Sequence, residues 1–197
     1  MGNYSAFFYG TLMAPEVLYR VCFGSPKPQA SQSAKLRIQP AILHDHCRHK
    51  VRGADYPAII PSKENNVRGS YVTGLTQSDV WRLDIFEGDQ YERRKVKAKL
   101  LDKVGDESGQ GNVEGDEVEC ETYIWIEGEG ELEDGEWDFG VFQREKMGRW
   151  IGYDDEYEEV DEAVRSQKDP TGGRGFGGAI TNQLDSEEVE EIERNAV

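Results

Sequence analysis

One helix, bracketed by its own start and stop signals and set between extended runs, limits what this chain can fold into. In "LTQSDVWRLDIFEGD", Thr76 stands as N-cap with Asp79 at the third helical position, so a helix should run to about Phe86 and stop at Gly88. The segments around it have a different period. Ser5–Tyr9 is short, aromatic and ends on a glycine, as a buried strand does. Leu36–Val51 is strand-like but broken by Pro40, and Tyr56–Pro61 is a second extended run limited by a proline near each end. Val67–Leu75 is a third run, whose glycines Gly69 and Gly74 suggest a bulge or a tightly bent strand of a small barrel. Tyr91–Leu101 and Cys120–Ile126 complete the set, and the acidic, Gly-rich stretch between them (102–119) reads as a mobile hairpin loop.

The period becomes helical afterwards. Trp137, Val141, Phe142, Met147, Trp150 and Ile151 form one apolar stripe, predicting a helix over 137–151. Strands with one helix interposed and helices trailing predict an α+β fold: a closed or nearly closed mixed β-barrel over residues 5–126 with flanking helices and an acidic C-terminal extension. The domain is expected to span residues 5–152 and the extension residues 153–197. In the extension, 153–165 reads as an acidic helix, 169–179 as a linker, and "DSEEVEEIERN" as a last helix capped by Ser186. Residues 166–197 have too few apolar side chains to bury and are expected to be disordered or loosely helical.

Charge narrows the partners. The net charge of −16 is unevenly divided: residues 1–100 carry 15 Lys and Arg against 9 Asp and Glu, and the remainder 8 against 30. Runs such as "EGDEVECE" and "DDEYEEVDE" repel nucleic acid, so no nucleic-acid partner is expected. No apolar run reaches bilayer length and no secretory signal is evident, so no membrane role is expected. Three widely spaced cysteines (Cys22, Cys47, Cys120) read as free thiols of a reducing, cytoplasmic setting. No oligomeric state follows from these features.

Four stretches could carry chemistry. "HDHCRH" gathers three histidines and a cysteine, but strand alternation puts His44 and His46 on one face and Cys47 and His49 on the other, so no metal site is expected. "GGRGFGG" lacks the strand before it and the helix behind it that a phosphate loop needs. In "YGTLMAP", a strand gives way to a helix starting at Pro15, leaving the N–H groups of Gly10, Thr11 and Leu12 without helical partners. Two readings stand: a ligand-free turn, which is the commoner, and an anion seat. Glu87 closes the Thr76 helix, where the dipole disfavours a carboxylate and a neighbouring Phe86 would desolvate it. It is either a partly exposed capping residue or a general acid/base.

Taken in order, "FYGTL", "YPAI", "G..Y..GL", "LD.FEG..Y.R..V", "Y.W" and the later "GEWDF" (Gly135–Phe139) resemble the γ-glutamylcyclotransferase-like family, in particular its plant avirulence-induced-gene branch. The resemblance covers roughly Ser5 to Ile151. It implies a small barrel with a pocket between the Gly10 turn and the Glu87 helix. It also implies a reaction: the α-amine of a γ-glutamyl compound attacks its own γ-amide carbonyl, releasing an amine and 5-oxoproline without metal or cofactor. By that resemblance Tyr9, Gly10, Thr11 and Leu12 hold the α-carboxylate, Glu87 moves the proton, and Tyr56 and Tyr91 stand near the pocket. Asp84, the competing carboxylate, is expected to make a structural hydrogen bond. The alternative is a non-catalytic small-anion or protein-binding module, in which Glu87 would face bulk water or be locked by Arg93 or Arg94.

Overall fold

Strand β1 (Tyr4–Phe8) shows no polar alternation because both of its faces are buried. Phe7, followed by Tyr9, points into the cluster of Ala41, Leu43, Ile59, Val67, Ala98, Cys120 and Ile124. Ala6 and Phe8 point the other way, into a layer built on Val17, Leu18, Val21 and Leu83. Side chains alternate along a strand, so one short segment joins two cores. Full burial of side chains the size of Phe7 and Phe8 contributes about 1.5–3 kcal/mol each.

The computed structural model describes residues 2–106, 109–152 and 157–166. After β1 come a single 3₁₀ turn (Thr11–Met13), α1 (Pro15–Phe23) and the short α2 (Ala30–Ser33). Strands β2 (Arg37–Lys50) and β3 (Pro57–Leu75) lead into α3 (Gln77–Glu87), which is followed by β4 (Tyr91–Lys103) and β5 (Val113–Trp125). The strands pair in the order β1-β3-β2-β4-β5, and the set closes as a barrel where Ala6 of β1 meets Glu121 of β5 in parallel. The other ladders are antiparallel. Helical turns α4 (Phe139–Val141), a π-turn (Phe142–Lys146), α5 (Met147–Gly152) and α6 (Glu158–Ser166) cover the outer face of β1 together with α1 and α3.

Several expectations change in detail. The two runs at 56–61 and 67–75 are one strand, β3, and Pro40 does not interrupt β2. Pro40 pairs with Ser70 of β3 but lies outside the short β2–β4 ladder at Ala41 and Ile42, so its missing N–H costs no bond on that side. The β2–β3 register jumps between His44 and His46, where Asp45 and, across the ladder, Glu64 have positive φ. This bulge breaks the simple alternation assumed for the histidines. His44 instead pairs with Glu114, and His49 faces the Glu133 carbonyl. Half of the supposed loop at 102–119 is strand, since β4 extends to Lys103 and β5 begins at Val113.

Cross-strand charge explains that extension. Lys97 meets Glu117 at 2.9 Å, Lys99 meets Glu114 at 3.1 Å, and Arg93 bridges to Glu121. The basic run of the first half thus lies against the acidic run of the second on a solvated barrel face. The helix expected over 137–151 begins only at Phe139 and passes through the π-turn. Trp137, Phe142 and Trp150 are buried as expected, whereas Val141 is 37% exposed. Beyond the expected boundary at residue 152, Tyr157 and Val160 are buried against the outer core. The linker and last helix expected beyond residue 166 lie outside the described residues.

β1 and β3 approach so closely at Gly69 that a Cβ there would meet the Phe8 carbonyl oxygen at 2.3 Å and the Phe7 ring at 2.6 Å. Gly69→Ala should therefore destabilise the protein by about 1–3 kcal/mol, the range for overpacking. Gly128→Ala, where nothing lies within 4 Å, should stay within about 0.5 kcal/mol. Urea unfolding of both variants checks the pair, and equal midpoints would contradict the packing.

Candidate active site

Glu87 is placed by the ends of α3. Thr76 accepts a hydrogen bond from the Asp79 N–H (3.2 Å) while Asp79 Oδ2 accepts one from the Thr76 N–H (2.7 Å), the reciprocal cap read from the sequence. At the other end Gly88, with φ +70°, terminates the helix where expected and donates to the Asp84 carbonyl. Leu83 packs on the outer core and Phe86 lies against it, so the last turn is held and Glu87 is carried to the barrel rim.

The turn after β1 arrives at the same rim. Met13 N–H donates to Gly10 and Ala14 N–H to Thr11 (both 3.0 Å), which closes the 3₁₀ turn. Among the described residues, the N–H groups of Gly10, Thr11 and Leu12 donate to no turn or side-chain partner. A Cβ on Gly10 would lie 2.9 Å from two atoms of the Pro57 ring, so the turn can sit this close to β3 only with glycine. Arg48, reaching from β2, donates to the Tyr9 carbonyl at 3.0 Å and fixes the turn's entrance. Its guanidinium also pairs with Glu136 (2.8 Å) and lies 5.6 Å from the Trp137 ring centre. Trp137 Nε1 donates to the Asp55 carbonyl (2.8 Å), so the "GEWDF" segment clamps the β2–β3 loop beside the site.

A cleft of 370 Å³ opens between these parts, and every residue singled out from the sequence lines it: Tyr9, Gly10, Thr11, Leu12, Tyr56, Glu87 and Tyr91. Sequence reasoning missed Gln90, Tyr123, Trp150, Glu159 and Val160, which line it too. Tyr123 lies in the quoted "CETYIWI" run, but alternation alone does not say which face of β5 meets a cleft. Trp150 reads as a core stripe residue and Val160 lies in the stretch read as an acidic helix, and only packing shows them at a rim.

The phenols are committed to the framework. Tyr9 donates to the Tyr123 carbonyl (2.7 Å), Tyr91 to the Pro57 carbonyl (3.0 Å), and Tyr123 to Asp84 Oδ1 (2.8 Å). Burial raises the pKa of all three, with the charge of Glu87 adding to each, so they remain protonated donors. Asp84 also accepts from Arg93 Nε at 2.8 Å, the structural role expected of it. Arg93 is thereby held by Asp84 and Glu121, and Arg94 by Glu92, so the arginines that might have locked Glu87 are engaged elsewhere. Glu87 itself is half-buried. Desolvation, followed by the nearby Asp84 charge, pushes its carboxyl up to about 8. The cleft can therefore present free N–H donors to an anion beside a carboxyl able to exchange a proton near neutrality.

Known proteins resemble this chain in sequence and in fold. Residues 6–139 match the family described as "Gamma-glutamyl cyclotransferase, AIG2-like". Protein AIG2 C of Arabidopsis thaliana is 28% identical over 137 residues, covering 70% of each chain. AIG2-like protein D of the same plant is 29% identical over 156 residues, covering 79% of this chain and 90% of its own. A solution structure of an Arabidopsis thaliana protein superposes with a TM-score of 0.51 at 25% identity, covering 85% of this chain and 94% of that one.

The raised carboxyl has a consequence for stability. The ordinary value is 4.5 and the folded value about 8, so the folded state binds the proton more tightly than the unfolded state does. Ionising Glu87 therefore weakens the fold progressively from about pH 4.5 to about pH 8. Glu87→Gln lacks this penalty. Its stability relative to the parent should climb across that window and level off above it, as urea midpoints between pH 5 and pH 9 would report. A gap independent of pH would show that Glu87 is not desolvated.

Proposed function

Because the chain belongs to the gamma-glutamyl cyclotransferase, AIG2-like family, we propose that it cyclises a γ-glutamyl compound to 5-oxoproline and a free amine. The observation that carries this reading is the meeting of Glu87 with the Gly10–Leu12 turn in one cleft, with no arginine among the described residues locking the carboxyl. The α-carboxylate of the glutamyl unit sits on the N–H groups of Gly10, Thr11 and Leu12, leaving its α-ammonium beside Glu87. Glu87 takes one proton from the ammonium. The freed amine nitrogen attacks the γ-carbonyl carbon, the carbon–nitrogen bond of the amide breaks as Glu87 returns its proton to the departing nitrogen, and the new ring nitrogen gives up its second proton to solvent.

Ring closure is intramolecular, so a cleft that holds the glutamyl chain curled supplies much of the acceleration. Tyr9, Tyr56 and Tyr91 shape the walls. The hydroxyls of Tyr9 and Tyr91 serve the barrel, and their rings exclude water from the reacting atoms. The steps as proposed are proton and acyl transfers, which call for neither metal nor cofactor. The catalytic unit is the domain expected over 5–152, here extended to the packed residues 157–166. The free cysteines, two of them buried, support placement in the reducing cytoplasm.

The test is to incubate the protein with γ-glutamyl amino acids, γ-glutamyl amines and glutathione and to look for 5-oxoproline. For the substrate that turns over, Glu87→Gln should lower kcat by about 10²–10⁴-fold, because the amide keeps the shape but moves no proton. Binding of the γ-glutamyl ligand should survive, since main-chain N–H groups form the seat. Equal turnover in variant and parent would remove the mechanism.

The pH profile gives an independent measure. Only the carboxylate form of Glu87 can accept the ammonium proton, so log(kcat/KM) should rise with unit slope as pH approaches about 8. A limb breaking near the ordinary value of 4.5 would assign the base elsewhere.

A further inference from the structure

Helix α6 and Tyr157, the residue before it, lie beyond the matched residues 6–139, yet they touch both segments that build the site. Arg20, on the helix that follows the Gly10 turn, is only 8% exposed and donates to both carboxylate oxygens of Asp161, at 2.9 and 2.7 Å. Its guanidinium lies 4.6 Å from the Tyr157 ring centre. Tyr157, itself buried, stacks on Phe86 at 5.8 Å with an interplanar angle of 18°. Phe86 is the residue before Glu87, so one line of contacts runs from Asp161 through Arg20 and Tyr157 to the end of α3. Glu159 and Val160, set between Tyr157 and Asp161, form part of the cleft wall.

The seat of α6 rests on those contacts. Among the described residues of α6, only Val160 is buried. A helix this short is marginal by itself in water, and one valine covers little apolar surface. The bidentate pair with Arg20 and the stacked Tyr157 therefore supply most of what keeps α6 in place. With α6 seated, water is excluded from Phe86 and from the last turn of α3 on that side. The titratable groups facing Glu87 are Asp84 on its own helix, Tyr9, Tyr56, Tyr91 and Tyr123 around the rim, and Glu159 on α6. The cations of the neighbouring elements are engaged elsewhere: Arg93 with Asp84 and Glu121, Arg48 with Glu136, and Lys146 and Arg149 with Asp55. Exclusion of water is the leading cause of the raised Glu87 carboxyl, ahead of the Asp84 charge, and it is the cause to which α6 contributes.

We propose that Arg20 is a positioning residue: by gripping Asp161 and Tyr157 it seats α6 against the end of α3 and completes the wall that keeps water from Glu87. Arg20 does not line the cleft and acts through α6. This rests on the cyclotransferase reading and adds to it the element that readies its acid/base.

The test uses the full chain carrying Arg20→Gln, in which Asp161, its side chain 26% exposed, turns to water. For a substrate that the parent cyclises, kcat should fall by about 10²-fold, the cost of a misplaced catalytic group. KM should change little, because the Gly10 turn keeps the carboxylate seat. The rising limb of log(kcat/KM) should break about one pH unit or more below the parent's value of about 8. A second comparison needs no turnover. Across a pH series, the urea midpoints of Glu87→Gln and of its own background should diverge over a narrower window in Arg20→Gln protein than in the parent, the upper edge moving down toward 4.5. Failure of the chemistry is thus told apart from failure of the seating. Amide hydrogen exchange over residues 158–166 should quicken in the variant. Asp161→Asn supplies the same measurements should Arg20→Gln not fold. A purely structural Arg20 would lower the urea midpoint alone. An unshifted break, a window of unchanged width or unchanged exchange in α6 overturns the proposal.

Discussion

The two-sided burial of β1 is the constraint on which the rest of the molecule depends. Phe7 and Tyr9 fill the barrel while Ala6 and Phe8 hold the helical layer, so the strand cannot shift without opening both cores. A slip of one residue would exchange every side chain between them. The chain therefore leaves β1 at one height and in one direction, and the turn at Gly10 inherits that position. Helix α3 packs on the outer layer through Leu83 and Phe86, so its C-terminal end meets the turn. The cleft is a product of this layering rather than of either segment alone.

Glu87 occupies a place that the physics of folding opposes. It sits at the carboxyl end of a helix, beside Asp84, in surroundings that hold its carboxyl at about 8. The surrounding contacts hold it there. Asp84 is tied to Tyr123 and Arg93, and Phe86 is covered by Tyr157 and Trp150. A local rule broken where neighbouring contacts hold the residue in place supports the proposed role of Glu87. The phenols around it obey the ordinary rules, each buried hydroxyl having an acceptor.

Part of the lopsided charge of the sequence is resolved within the fold. Basic β4 and acidic β5 lie side by side, and their ion pairs are exposed, each worth about 0–1 kcal/mol. They favour the correct register more than they stabilise the chain, because a shift of one residue would set Lys97 opposite Val118 or Cys120 instead of Glu119. Arg20 and Asp161 are another matter. That pair is largely buried and bidentate, and removing one partner would strand a charge beneath α6. The same kind of side chain thus solvates one face and locks an element on another.

Local chemistry made part of this protein legible. Thr76 and Asp79 cap a helix through bonds three residues apart, Pro15 starts one, Gly88 stops one, and the alternation of β4 and β5 is written in neighbouring side chains. The candidate residues at Gly10–Leu12 and Glu87 were visible because main-chain geometry at element ends depends on the nearest few residues. Non-local pairing decided the rest. Pro40 is tolerated because the β2–β4 ladder stops short of it, the bulge at Asp45 depends on four residues of β3, and the ends of the 102–119 segment joined β4 and β5, setting opposite charges side by side. Tyr123, Trp150 and Glu159 joined the cleft from segments far apart in sequence, brought there by barrel closure and by the seat that Arg20 gives α6. Sequence by itself determined where α1 begins and where α3 begins and ends, because cap signals act over three or four residues. Tertiary structure alone decided which of their faces meet, because that depends on burial shared between segments with no local trace of one another.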